Sequence, residues 1–575
     1  MGAHVRSGFR HHRQQRGGGR RVLTADVVVI GGGLGGVAAA LAAAESGRSV
    51  VLTCAEEEPG GQITSQLVPA LDEHPHVETG GVSASYTRLR ELVRAGYGGV
   101  ANPGGGWVSR LCFEPHAGAK AIADLLAPHV ESGRLTVVTG AAPAGVRLHA
   151  GLIEAVTLTT GQSVAGEVFC DATELGDLLV LAGAPWVCGS EGGDAYGESL
   201  AVEGAPRPRA VQSCTTGFLV EHLPGEDHTV PRPPGYERWR DGQPFTLEID
   251  GWDGRTHRYR MFEDGPDGHP PFWTYRRLRD GAVLGGRDLV LINWAGNDYA
   301  DRSLIHEPGE AAAGARLLSL AFLHWLQTEA GFPGLRLAAE APGTSGGLAR
   351  HPYVRESRRL AVPGPVTEHH LRPVPGQARA AAMPDAVGVA WYHMDIHARV
   401  GHPGSHYADT APFQIPLSAL VAPEPGNLLA AAKNLGATQA AASAYRVHHG
   451  EWAVGEAAGT AAAHCVRRSI RPGRLSAPAE LLAVRRSLVA RGAPIAWVLD
   501  VAPSDPLFAP VQLLAAAGAV RPDSLDVRPD QPLTEADRTV LRAAAARLGR
   551  HDMTSDPGRT WADAASTLAG GGGTA

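Results

Sequence analysis

At 575 residues the chain is too long for a single hydrophobic core, so two or three structural units are expected. Its 44% hydrophobic and 19% charged residues are ordinary for a folded enzyme, and Gly 73 and Pro 42 are spread over the whole length, which reads as turns and loops rather than a low-complexity tract. The net charge is −7, yet six arginines and no acid fall within residues 1–21, so the body is more acidic than the total suggests and lacks the clustered basic residues of a nucleic-acid surface.

Residues 1–21 are predicted to be a disordered basic tail. Arg20-Arg21 resembles a twin-arginine start, but the apolar stretch behind it runs directly into Ile30-Gly31-Gly32-Gly33, leaving no room for a separate leader and cleavage site. No run of about 18 apolar residues follows, and the six cysteines form no Cys-x-x-Cys pair. A cytoplasmic chain that makes no membrane contact is expected.

Ala25–Ile30 is a short apolar run that reads as a buried parallel strand. Gly31, Gly33 and Gly36 follow in G-x-G-x-x-G spacing and open an alanine-rich helix to about Ser46; Gly47 ends it, and Ser49–Leu52 reads as a second strand. In this order the glycines permit a tight turn and let a pyrophosphate approach the helix N-terminus. An acidic residue should close the second strand to bind ribose hydroxyls, but Cys54 stands there, with Glu56, Glu57 and Glu58 close behind; Glu56 is the first that could slide into the role. A polar glycine-rich loop, Gly60–Gln66, comes next, and no second good G-x-G-x-x-G offers a nicotinamide pocket.

Three later clusters could carry chemistry. In Tyr392–His397, strand alternation places His393, Asp395 and His397 on one face, suiting an acid/base histidine oriented by a carboxylate. A metal site including His402 and His406, or histidines that merely bond backbone, are the competing readings, and no metal is assigned. Tyr445–His449 supplies Arg446 and a second proton-transfer candidate, His448. Arg355, Ser357 and Arg359 would share one face of a strand, where arginine forks suit a carboxylate or phosphate, or form a structural ion-pair ladder. Glu451–His464 reads as a helix whose small residues, Gly455, Ala458, Gly459 and Ala462, allow close packing.

Several motifs resemble a bacterial group of FAD-dependent oxidoreductases within the glutathione-reductase/fumarate-reductase-like flavoprotein superfamily, over roughly residues 25–500. They are Gly60-Gly61-Gln62 with Thr64-Ser65-Gln66, Asp72–Pro75, Gly106–Pro115, Asp171–Asp177, Ile292–Trp294 with Asn297–Tyr299, Ser319–Phe322, Tyr353–Arg359 and Pro412–Pro416. The resemblance implies FAD as cofactor, bound through Gly31, Gly33, Gly36, Cys54, Glu56, Gly61, Gln62, Arg110, Asp171, Thr173, Asn434, Glu451 and Gly455. It also implies that the helix from Glu451 points its positive end at the flavin, and it places His448 near the ring. Three departures stand out: Cys54 replaces a glutamate, Gly450 replaces a proline, and Thr438–Ser443 is blander than the family pattern.

The expected fold is α/β: a discontinuous Rossmann-type FAD-binding domain (22–190 and 386–470), an inserted mixed α+β substrate or cap domain (191–385), a helical C-terminal region (471–569) resembling a single S-layer-homology repeat in part, and a flexible tail (570–575). The expected function is hydride transfer between a small organic substrate, anionic in one reading, and flavin N5, with His397, Asp395, His448, Arg446 and Arg355 as catalytic candidates and a separate electron donor or acceptor. A flavin monooxygenase served by a separate reductase, or a flavin-binding protein that has lost catalysis, are the alternatives.

Overall fold

The structure is a computed structural model that describes residues 22–251 and 254–570; the tail expected over 1–21 and the last five residues of the C-terminal tail lie outside the described residues. Its central seven-stranded sheet begins with β1 (Val22–Ile30), helix α1 (Leu34–Glu45) and β2 (Val50–Thr53). Helices α2 (Ala84–Gly96) and α3 (Pro115–Glu131) precede β3 (Leu135–Val138), β4 (Pro143–His149), β5 (Leu152–Leu158) and β6 (Ser163–Asp171). The order β3-β2-β1-β6 is parallel throughout, and the much later strand Leu428–Ala430 adds in parallel to the C-terminal end of β6. That return makes the nucleotide fold discontinuous in sequence. β5 and β4 extend the other end of β6 as antiparallel strands.

Val27–Ile30 is completely buried because both sheet faces are covered, which is why this strand is continuously apolar. Helix α1 lies against the long helix His448–Arg468, and their backbones approach at residues that lack side-chain bulk. A Cβ on Gly455 would come 2.0 Å from Gly35 O, and one on Gly459 would come 2.1 Å from Ala39 O. The long helix starts at His448, three residues before the position expected from sequence.

A second, four-stranded sheet orders Arg277–Arg279, Leu289–Ile292, Phe218–His222 and Leu335–Leu337, antiparallel at each pairing. With the helix Pro308–Thr328 it encloses its own core of residues such as Val220, Ile292, Leu318 and Phe322, separate from the core under the parallel sheet. The C-terminal helices Pro478–Ala490, Phe508–Ala516, Glu535–Arg547 and Trp561–Gly570 instead bury Leu488, Val511, Leu541 and Trp561 in the same cluster as Val27 and Leu41. Among the described residues no helix is long and apolar enough to cross a membrane.

Candidate active site

The turn between β1 and α1 needs its glycines for distinct reasons. Gly31 has φ +112°, and a Cβ there would sit 2.1 Å from Ala172 O. Gly36 packs so closely that a Cβ would meet Gly31 O at 1.9 Å. Gly33 faces side chains: a Cβ would lie 2.6 Å from Glu174 Oε1 and 3.0 Å from Glu451 Oε1. The second glycine loop docks on this turn, Gly60 N donating to Gly32 O at 2.7 Å, and a Cβ on Gly61 would lie 3.0 Å from Gly33 Cα. The two bare backbones form the cradle a dinucleotide phosphate requires.

A buried polar group lines this cradle. Lys433, 2% exposed, pairs with Glu174 and stands 3.4 Å from Glu451 Oε2; Glu451 Oε1 accepts from Gly35 N at the start of α1. Gln62 donates to the Glu451 carboxylate and to the Arg446 carbonyl. Burial raises the Glu451 pKa, with Lys433 opposing and Glu174 adding to the rise. Burial also acts to raise Glu174, but Lys433 outweighs it and holds that carboxyl below its usual range. Gln62 Oε1 is buried without a hydrogen-bond partner, so the cradle retains a polar atom that a polar cofactor would satisfy.

Other expected cofactor residues are used within the fold. Asp171 is fully buried at the end of β6, accepting from Thr173 N and Oγ1 and from Leu179 N; burial pushes its carboxyl up to about 7. Asn434 donates to Asp171 O and accepts from Ala432 N, tying the segment just after the returning strand to the end of β6. Cys54 is 4% exposed, its Sγ turned to the Glu58 carbonyl and the backbone of Gly32, where a Cβ would lie 2.5 Å away. Glu56 is half-buried beside it and Arg110 is exposed.

The Tyr392–His397 cluster forms a strand only over Met394–Ile396, but it brings Asp395 and His397 together. His397 is held between two carboxylates: Nδ1 is 2.6 Å from Asp298 Oδ2 and Nε2 is 3.1 Å from Asp395 Oδ2. Burial and the Arg355 guanidinium press its pKa down, but Asp395 and Asp298 prevail and hold it above the ordinary histidine value. Asp395 Oδ2 also accepts from Arg446 Nη2 at 2.9 Å, and its backbone N donates to Ser443 Oγ, so the bland Thr438–Ser443 stretch positions this carboxylate. Although burial opposes it, His397 and Arg446 hold Asp395 well below the usual carboxylate range. Its other oxygen, Oδ1, is buried with no partner.

Two sequence expectations need correction. His448 is pinned by backbone at both ring nitrogens, Nδ1 accepting from Asp72 N at 3.0 Å and Nε2 bonding Val68 O at 2.9 Å, and burial lowers its pKa to about 4. It has no nitrogen left for a substrate. Arg355, Ser357 and Arg359 do not share a strand face, because the strand here is only Arg359–Leu360. Arg355 instead holds Asp298 at 2.9 Å, and Arg359, fully buried, pairs with Glu191 and Glu356 at 2.7 Å each. Among the described residues no group of three His, Cys, Asp or Glu is arranged to hold a metal.

Sequence reasoning assigned no role to Asp298, Glu174, Lys433 or Tyr353. Lys433 did carry a signal: it is one of only two lysines in the chain and lies in the apolar run Leu428–Leu435. The partners of the other three are distant in sequence, and no local pattern links them.

A parallel sheet with a glycine turn, a docked second glycine loop and a returning strand defines a dinucleotide-binding α/β protein. The family description "FAD dependent oxidoreductase" matches residues 26–488, and the chain belongs to that family, with FAD as its cofactor. No curated protein matches it. Among solved structures it is similar to a geranylgeranyl bacteriochlorophyll reductase-like protein from Thermoplasma acidophilum (11% identity, 92% of this chain and 98% of that one, TM-score 0.32). It is also similar to L-amino acid deaminase from Proteus vulgaris (14% identity, 37% of this chain and 57% of that one, TM-score 0.22). A third is L-proline dehydrogenase from P. horikoshii (14% identity, 31% of this chain and 26% of that one, TM-score 0.17).

Proposed function

We propose that the protein transfers hydride between a small organic substrate and FAD, with the Asp298–His397–Asp395 group managing the accompanying proton. The observation that carries this reading is the double use of Arg446: its guanidinium holds Asp395 while its carbonyl accepts from Gln62 of the phosphate-side glycine loop, coupling a proton-handling group to the cofactor cradle. FAD supplies the two-electron chemistry. Gly33, Gly61 and the N-terminus of α1 hold its diphosphate, and Lys433 offsets the carboxylates nearby.

Asp395 Oδ1 is the atom through which the group meets substrate, because both nitrogens of His397 are committed to carboxylates. It accepts the substrate X–H. While His397 is protonated, Asp395 is a weak base and mainly orients; once His397 is neutral, the group has room for the substrate proton. The smaller antiparallel sheet serves as the cap, contributing Asp298 from beyond its strands.

The test is anaerobic mixing of flavin-loaded protein with panels of small alcohols, amines and their carboxylate derivatives, watching the visible flavin band. At least one member should bleach it, and Asp395→Asn should slow that bleaching by about 10²–10⁴-fold while FAD stays bound. Bleaching that proceeds equally fast in Asp395→Asn would remove the group from the reaction.

A further inference from the structure

Arg276 immediately precedes the strand Arg277–Arg279, and its neighbours are fully paired: Arg277 with Asp280 and Asp288, Arg279 with Glu114 and Glu221. Arg276 is not. Its Nε and Nη1 are buried with no hydrogen-bond partner, and the nearest carboxylate, Asp72, stands 3.8 Å from Nη2, beyond hydrogen-bond range. The guanidinium lies 5.2 Å from the centre of the Tyr275 ring and also bonds to that side chain, which leaves Nε and Nη1 without a partner. The side chain as a whole is 12% exposed.

Arg276 lies within electrostatic reach of the proton-handling group. Asp72, Tyr353 and Tyr392 act electrostatically on both Arg276 and Arg446, and Asp395 acts on Tyr275. Arg446 is already committed, to Tyr353 Oη at 2.9 Å and to Asp395. Arg276, Arg355 and Arg446 thus lie among the carboxylates of Asp72, Asp298 and Asp395, and Arg276 is the guanidinium that none of these carboxylates approaches within hydrogen-bond range. Buried guanidinium N–H groups without acceptors are unfavourable, and a planar fork is the geometry that pairs with a carboxylate.

We infer that Arg276 is the anchor for a small organic monocarboxylate, which takes the Nη1 and Nη2 end of the fork beside the half-buried rings of Tyr275 and Tyr392. This rests on the oxidoreductase reading above and narrows its substrate class to carboxylic acids. Arg276 binds and orients; the proton moves at Asp395.

Flavin-loaded protein would be titrated with acetate and with benzoate, using neutral benzamide as the control, and followed by the visible flavin spectrum and by thermal melting. A saturable change with one or both carboxylates and none with benzamide is expected. Arg276→Gln should weaken that binding roughly tenfold or more, and Arg276→Lys, which keeps the charge but loses the fork, by less. FAD content should be unchanged in both. If neither carboxylate binds the flavin-loaded wild type, or both bind Arg276→Gln as tightly, the inference is overturned. Protein that folds without retaining any FAD would instead defeat the oxidoreductase reading, and melting with benzoate would still report on the Arg276 site.

Discussion

Gln62 Nε2 donates to the Arg446 carbonyl at 2.9 Å, and the guanidinium of that same Arg446 donates to Asp395 Oδ2 at 2.9 Å. One residue therefore spans from the glycine loop to the carboxylate–histidine group, directly before the helix His448–Arg468. The side chain that makes this link is only 3% exposed.

The glycine turn separates a folding requirement from a binding one. Gly36→Val places a side chain against Gly31 O, backbone that cannot yield, so it should destabilise the fold by several kcal/mol, in the manner of about 1–3 kcal/mol or more for overpacking. Gly33→Val meets the ends of Glu174 and Glu451, which can shift, so the protein should fold but lose its flavin. Flavin per folded protein decides between them; a Gly33→Val protein that stays fully yellow would show that this turn does not hold the diphosphate.

Lys433 neutralises two carboxylates that would otherwise share a buried space. Lys433→Met should cost about 3–5 kcal/mol by leaving that charge uncompensated. Adding Glu451→Gln should restore part of the loss, since neutralising one of the two carboxylates abolishes their repulsion. Denaturant unfolding of the single and double variants measures this, and strictly additive losses would mean that Lys433 and Glu451 do not interact.

Because the folded pKa of His397 lies above its ordinary value, the stability that Asp298 and Asp395 lend it is complete below about pH 6.5 and fades as pH rises through the raised value. The stability gap between wild type and His397→Asn should accordingly be widest in mild acid and narrow toward alkaline pH. Chemical unfolding over a pH series reads the gap directly, and a gap that widened with pH would mean that His397 is neutral in the native protein.

All six cysteines are buried, and burial pushes Cys54 up to about 12. The native protein should therefore react with Ellman's reagent only as fast as it unfolds. Rapid modification of one thiol in folded protein would show that this cysteine is more open than the structure makes it.

What was legible in the sequence is what local backbone geometry enforces. Gly31 and Gly36 could be read because no other residue fits the turn, and Gly455 and Gly459 because the helix backbones meet there. Asp395 and His397 were legible as a pair through strand alternation. Their roles were not, because these depend on Asp298, 99 residues earlier, which occupies the second ring nitrogen. His448 looked equivalent to His397 in sequence; the carbonyl of Val68 and the amide of Asp72 distinguish a histidine pinned by backbone from one held between carboxylates. Arg355 and Arg359 have the residue types of an anion site, but their acceptors are Asp298, Glu191 and Glu356 of the same chain.

The central claim, that the proton on the Asp298–His397–Asp395 group is coupled to flavin reduction, is tested most directly by the flavin midpoint potential as a function of pH, in wild type and His397→Gln. Coupling predicts that the wild-type slope changes at the raised His397 pKa, by about 30 mV per pH unit for each proton in a two-electron couple, and that this break is absent in the variant. Superimposable profiles for the two proteins would contradict the account.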